Sequence, residues 1–146
     1  IRAHASLNTL NWGNSLNNFS DISDYLMVNR SKEFNKGPES NCLFVSPAHP
    51  EVIRVLTELN SELVNNYPDL YGINYNFLRF KDGSYQNYKE EDFGFEKNIV
   101  NLFKENYGID PFSISFDSVS NSPWMKWVDF KENLITNLLI KSQSFF

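Results

Sequence analysis

Residues 46–80, SPAHPEVIRVLTELNSELVNNYPDLYGINYNFLRF, constrain the fold more than any other stretch. The first part predicts a helix. Pro50 suits the first turn, where a missing N–H costs nothing, and Glu51 suits the positive end of the helix dipole. Val52, Val55, Leu56, Leu59 and Leu63 recur at helical spacing, and Pro68 stops the run. Residues 72–80 then predict a strand, with Ile73, Tyr75 and Phe77 on one face and Asn74 and Asn76 on the other. Residues 2–8, RAHASLN, alternate in the same way. Arg2, His4, Ser6 and Asn8 fall on the polar side, and Ala3, Ala5 and Leu7 on the apolar side. Strand, helix and strand in that order predict a parallel β-α-β unit.

Around this unit the patterns are shorter. The loop NTLNWGNSLNNFSD follows the first strand. Residues 25–29, YLMVN, and 42–45, CLFV, flank a polar segment with Gly37-Pro38 and predict an irregular hairpin excursion. FEKNIVNLFKENYGIDP predicts a second helix, with Ile99, Leu102 and Phe103 on one face and Gly108 and Pro111 ending it. SPWMKWVDFKENLITNLLIKS predicts a third, opened by Pro123, with an apolar stripe of Trp124, Trp127, Val128, Leu134, Ile135 and Leu138. There is no internal repeat or linker. Two strands do not make a stable sheet alone, and a barrel of eight β/α units takes about 250 residues. The expected fold class is therefore α/β: a partial (β/α)8 TIM-type barrel with about two barrel strands, their helices and a hairpin excursion. Residues 1–146 are expected to be a fragment of one such domain, with both ends reading as cuts through a larger fold.

Charge and composition exclude several classes. The net charge is −5 with no basic stripe, which argues against nucleic acid. No run of about 18 apolar residues exists to span a membrane. His4 and His49 are the only histidines and Cys42 the only cysteine, so neither a metal site nor an internal disulfide is expected, and no cofactor is called for. The chain is rich in aromatic residues, with 13 Phe, 7 Tyr and 3 Trp, and also in asparagine. Carbohydrate sites use both, but an A+T-rich genome encodes both as well.

Four blocks in order resemble one family. RAHASLNTLNWGN resembles a strand reading His-Ala-Trp-x-Asn. SPAHPEVIRVLTELNSELVNNY resembles a helix opening Asn/Asp-Pro-x-x-Pro-Glu-Val-Arg. YGINYNFLRF resembles a strand reading Asp-Gly-Ile-His-x-Asp-x-x-Arg-Tyr. DFGF, VNLFKENYGIDP and PWMKWVDFKENLITNLL resemble a series of Phe-Gly-Tyr, Tyr-Gly-Ile-Asp-Pro and Trp-x-x-Trp-x-x-Phe/Arg. These are the blocks of the bacterial glycoside-hydrolase-like family ten, the family of the YngK-like lipoproteins, whose members fold as β/α barrels. The resemblance implies a carbohydrate-active protein that acts on or binds an oligo- or polysaccharide at the C-terminal mouth of the barrel. It also implies an extracytoplasmic location, secreted, periplasmic or surface-anchored, and a remainder of the barrel or a partner chain to cover the exposed strands.

The departures bear on the chemistry. Tyr71 stands where the family has Asp, Asn74 where it has His, Asn76 where it has its strand-end Asp, and Ser6 where it has Trp. His4, Asn8, Gly72, Ile73 and Arg79 are kept. Glycoside hydrolysis usually needs two carboxyl groups. An amide replaces neither, although it hydrogen-bonds sugar hydroxyls as donor and acceptor. No catalytic residue is therefore assigned. The expected substrate-binding set is His4, Asn8, Asn11, Trp12, Asn74, Asn76 and Arg79. Three functions stay open: a hydrolase whose carboxylates lie elsewhere, a non-catalytic carbohydrate-binding pseudo-enzyme, and a structural barrel domain of an envelope assembly.

Each residue also has a plainer reading. Arg79 orients a ligand or braces the strand end against a neighbouring carboxylate. His4 is a base or a hydrogen-bonded structural residue. Trp12 stacks on a sugar or anchors its loop. Trp124 and Trp127 read as core. The acidic run Glu90, Glu91 and Asp92 reads as a solvated turn, or as carboxylates reaching the mouth.

Overall fold

The computed structural model describes residues 2–13, 23–35, 37–83, 91–116, 120 and 122–143. Two strands and three helices form a small mixed α/β unit. In chain order they are β1 (His4–Asn8), α1 (Pro50–Asn66), β2 (Gly72–Asn76), α2 (Lys97–Tyr107) and α3 (Pro123–Ser142). Single 3-10 turns cover Ser23–Tyr25 and Pro111–Ser113.

β1 and β2 run parallel and side by side. Parallel neighbours need a crossover rather than a tight turn, and α1 lies in that crossover. The β-α-β unit is therefore present. Among the described residues the sheet stops at two strands, and no barrel is formed. β2 is also shorter than its pattern. It ends at Asn76 because Phe77 takes a left-handed backbone with φ 54°, which breaks the extended run before Arg79. Residues 25–29 and 42–45 are not regular strands. They touch through one isolated antiparallel bridge, Leu26 to Val45, while Asn11 bridges Phe44 and Asn29 bridges Phe93.

The helix ends follow their local chemistry. Pro50 and Pro123 open α1 and α3. The His49 ring accepts the Glu51 amide at 3.2 Å, and the Ser122 hydroxyl accepts the Met125 amide at 3.2 Å. Gly108 closes α2 at φ 65°, where a glycine carries no Cβ penalty.

The core has two parts. Leu10, Leu26, Met27, Phe44, Val45, Val52, Leu56, Phe93 and Leu138 fill the space between β1, the excursion, α1 and α3. Phe95, Ile99, Val100, Phe103, Ile114, Trp127 and Phe130 form a largely aromatic core around α2 and α3. Phe80 packs against both. Two predicted faces shift by a residue or more. On α2 Val100 is buried and Leu102 is 38% exposed. On α3 Phe130 and Lys131 are buried, while Trp124, Val128, Leu134 and Ile135 are only half-buried.

A polar clamp joins the two cores. Asp92 accepts from the Lys131 ammonium at 2.6 Å and from the Trp127 indole at 3.0 Å, and Lys131 also donates to the Phe93 carbonyl at 3.1 Å. Gly94 lets the chain pass this point. With φ at 110°, a Cβ there would lie 2.9 Å from both Lys131 Cδ and Phe80 Cε1. At the far end Asn60, buried on α1, donates to the Ser142 carbonyl at 2.9 Å and ties α1 to the last turn of α3.

Candidate functional site

The register decides where the polar side chains meet. His4 lies opposite Gly72, Ser6 opposite Asn74, and Asn8 opposite Asn76. Every polar position of β1 thus shares a face with an amide or a glycine of β2. Asn74 donates to the Asn76 carbonyl oxygen at 3.3 Å, and Asn76 donates to the Ser6 hydroxyl at 2.6 Å. The two amides and the hydroxyl form one hydrogen-bonded ladder on the exposed side of the sheet.

The carboxyl ends of the strands open beside a groove of about 660 Å³. Leu7, Asn8, Asn11, Trp12, Cys42 and Phe77 line it, with Leu59 on the α1 side. Asn11 is set by its own turn, its side-chain oxygen accepting the Gly13 amide at 3.0 Å. Trp12 is held by its indole N–H, which donates to the Thr9 carbonyl at 2.9 Å, and by its backbone amide on the Leu43 carbonyl at 3.0 Å. Its ring packs against the first core and also borders the groove. No carboxylate lines this groove among the described residues.

Three of the seven expected site residues, Asn8, Asn11 and Trp12, therefore converge on one place. Asn74 and Asn76 sit beside it on the exposed ladder. His4 lies at the other end of β1, about 13 Å from Asn8 at the strand rise of about 3.3 Å per residue. Its ring meets Tyr71 edge-on at 5.2 Å, and Arg2 caps Tyr71 with its guanidinium 4.5 Å from the ring centre. Arg79 does not line the groove, although its guanidinium lies 5.7 Å from the ring centre of Phe77 at the rim. It forks onto Glu39 at 2.7 and 3.1 Å and reaches Asp82 at 3.3 Å. Burial opposes ionisation of Glu39. The hydrogen bonds from Arg79 and the Asp82 amide, with the nearby charges of Arg79 and Lys81, nevertheless hold its carboxyl below the usual range.

Of the acidic run, no described residue lines the groove. Asp92 is committed to Lys131 and Trp127, Glu91 is half-buried, and Glu90 lies outside the described residues. Trp127 is core. Phe77 and Cys42 are groove residues that the sequence reading missed. The strand pattern put Phe77 on the helix-facing side, and only its left-handed backbone brings it to the rim. Comparison with protein-family models, curated proteins and solved structures finds no match to this chain.

Proposed function

We propose that β1 and β2 are two neighbouring staves of a β/α barrel, and that the groove at their carboxyl ends binds an oligosaccharide without hydrolysing it. One observation carries this reading: Asn8, Asn11 and Trp12 converge with Phe77 on a groove that has amides and aromatic surface but no carboxylate among the described residues. Amides pair with the donor and acceptor of a sugar hydroxyl, and ring faces pack on the apolar face of a pyranose. Hydrolysis needs an acid and a nucleophile or base, and Asn76 offers neither. The resemblance to the glycoside-hydrolase-like family supports a polysaccharide as the natural ligand.

The test is a titration with soluble glucan, chitin and peptidoglycan oligosaccharides, read by calorimetry and by reducing-sugar release. Binding to one class with no sugar release is the expected result. Trp12→Ala and Asn8→Ala should each weaken it roughly tenfold, equivalent to about 1.4 kcal/mol. Binding that neither substitution changes, in variants with unaltered circular dichroism, removes the groove from the site. Sugar release by the unsubstituted protein refutes the non-hydrolytic reading.

A further inference from the structure

A second cavity, of about 400 Å³, lies away from the groove, where two helices begin. His49, the N-cap of α1, and Glu96, the N-cap of α2, both border it. The two caps differ. His49 satisfies the Glu51 amide through Nδ1, so a neutral ring carries its proton on Nε2. Glu96 does not cap its own helix. Among the described residues nothing pairs with the first-turn amides of Lys97 and Asn98, which also line the cavity.

Glu96 itself is the second observation. It is 7% exposed, and its Oε1 has no hydrogen-bond partner among the described residues. Its Oε2 receives the Val28 amide, at a long 3.5 Å. A buried polar atom without a partner is costly, and native proteins rarely leave one. Burial pushes the Glu96 carboxyl up to about 7, against the pull of its own backbone amide, the Ser46 hydroxyl, the Val28 amide and Lys131. Below about pH 7 it is mostly an uncharged donor.

The surrounding charge favours an anion. Lys32 and Lys97 line the cavity. Lys32 donates to the Phe95 carbonyl at 2.7 Å and lies 4.7 Å from the Phe112 ring centre. The uncapped N-terminus of α2 adds positive potential. Asp24, exposed on the rim, opposes it.

We propose that this cavity binds a small oxyanion, free or carried as the acid group of a sugar acid, with the Glu96 carboxyl and the Lys97 and Asn98 amides hydrogen-bonded to its oxygens. The Glu96 proton is then taken up with the ligand, so affinity falls as the carboxyl ionises. The charged or titrating groups facing Glu96 are Asp24 and Lys32 from the excursion, His49 from α1, Lys97 from α2 and Lys131 from α3.

The experiment titrates sulfate, and separately glucuronate, into the whole chain, with chloride as the ionic-strength control. Amide shifts of Lys97 and Asn98 are read at about pH 6 and about pH 8, either side of the Glu96 value. Saturable shifts are expected, up to about tenfold weaker at the higher pH, the limit that one group of this value sets between about pH 6 and about pH 8. Tighter sulfate points to a free oxyanion, and tighter glucuronate to a sugar acid. E96Q keeps a donor and should keep binding while losing most of the pH dependence. Asp24→Asn should tighten binding and Lys97→Ala should weaken it, and both positions are exposed enough to leave the fold intact. No saturable shift with either anion overturns the proposal, as does an E96Q protein with the same pH dependence as the unsubstituted one.

Discussion

Glu96 occupies a place that suits a neutral group better than a charged one. In the unfolded chain its carboxyl ionises near 4.5, and in the folded chain burial holds the proton to about 7. Between those values the folded state binds more protons than the unfolded state, so stability falls as pH rises through that window. It is greatest below about 4.5 and levels off above about 7. The difference amounts to about 3 kcal/mol. Glu96→Gln keeps the shape and removes the charge. It should flatten this part of the stability profile and leave the protein more stable at pH 8. Denaturant melts of both proteins at pH 5 and pH 8 test this, and equal pH dependence in the two would show that Glu96 is not the source. Nothing in FGFEKN marks this glutamate as special, because its burial comes from residues 28 and 46, far off in sequence.

At the scale of elements, α3 is held to the chain segment before α2 by Asp92. Lys131 is buried, and its pair with Asp92 closes over Trp127. Removing one partner of such a pair strands the other, at a cost of about 3–5 kcal/mol, whereas replacing both with apolar residues is often neutral. Asp92→Asn should therefore destabilise far more than the double change Asp92→Leu with Lys131→Met, measured by chemical denaturation. Equal losses would mean that the pair contributes through packing alone. Which elements the sequence disclosed follows the same line between local and distant causes. Pro50, Pro123 and Gly108 fix helix ends through their own backbones, and these ends are legible. Phe77 is not, because its left-handed turn depends on what surrounds it. Val100 and Leu102 flank the Ile99–Phe103 face of α2 on opposite sides, and which of the two is buried depends on what packs against that face. In the site, Asn8, Asn11 and Trp12 are close in sequence and stay together in space. His4 and Arg79 are lost to it because strand length separates the first, and Glu39, forty residues away, captures the second.

The molecule as a whole leaves its sheet half-covered. Parallel sheets are normally buried on both faces and have more than two strands. Here five-residue strands pair only with each other among the described residues, and His4, Ser6, Asn8 and Asn74 face outward. Both sheet edges are open among the described residues, and open edges are templates for pairing with another chain. Apolar side chains add to this, with Ile140 63% and Leu59 37% exposed. A polypeptide of these 146 residues should self-associate as its concentration rises, despite a net charge of −5 that resists it. Sedimentation velocity over a concentration series measures this directly. Asn74→Lys places a charge on the open face and should shift the distribution toward monomer, while Ile140→Lys tests the helical side separately. If the first change dissolves the association and the second does not, the sheet is the sticky surface, as two staves of an incomplete barrel require. A monomer at every concentration, unfolding in one cooperative step, would mean that two strands and three helices suffice, and the barrel reading would fall with that result.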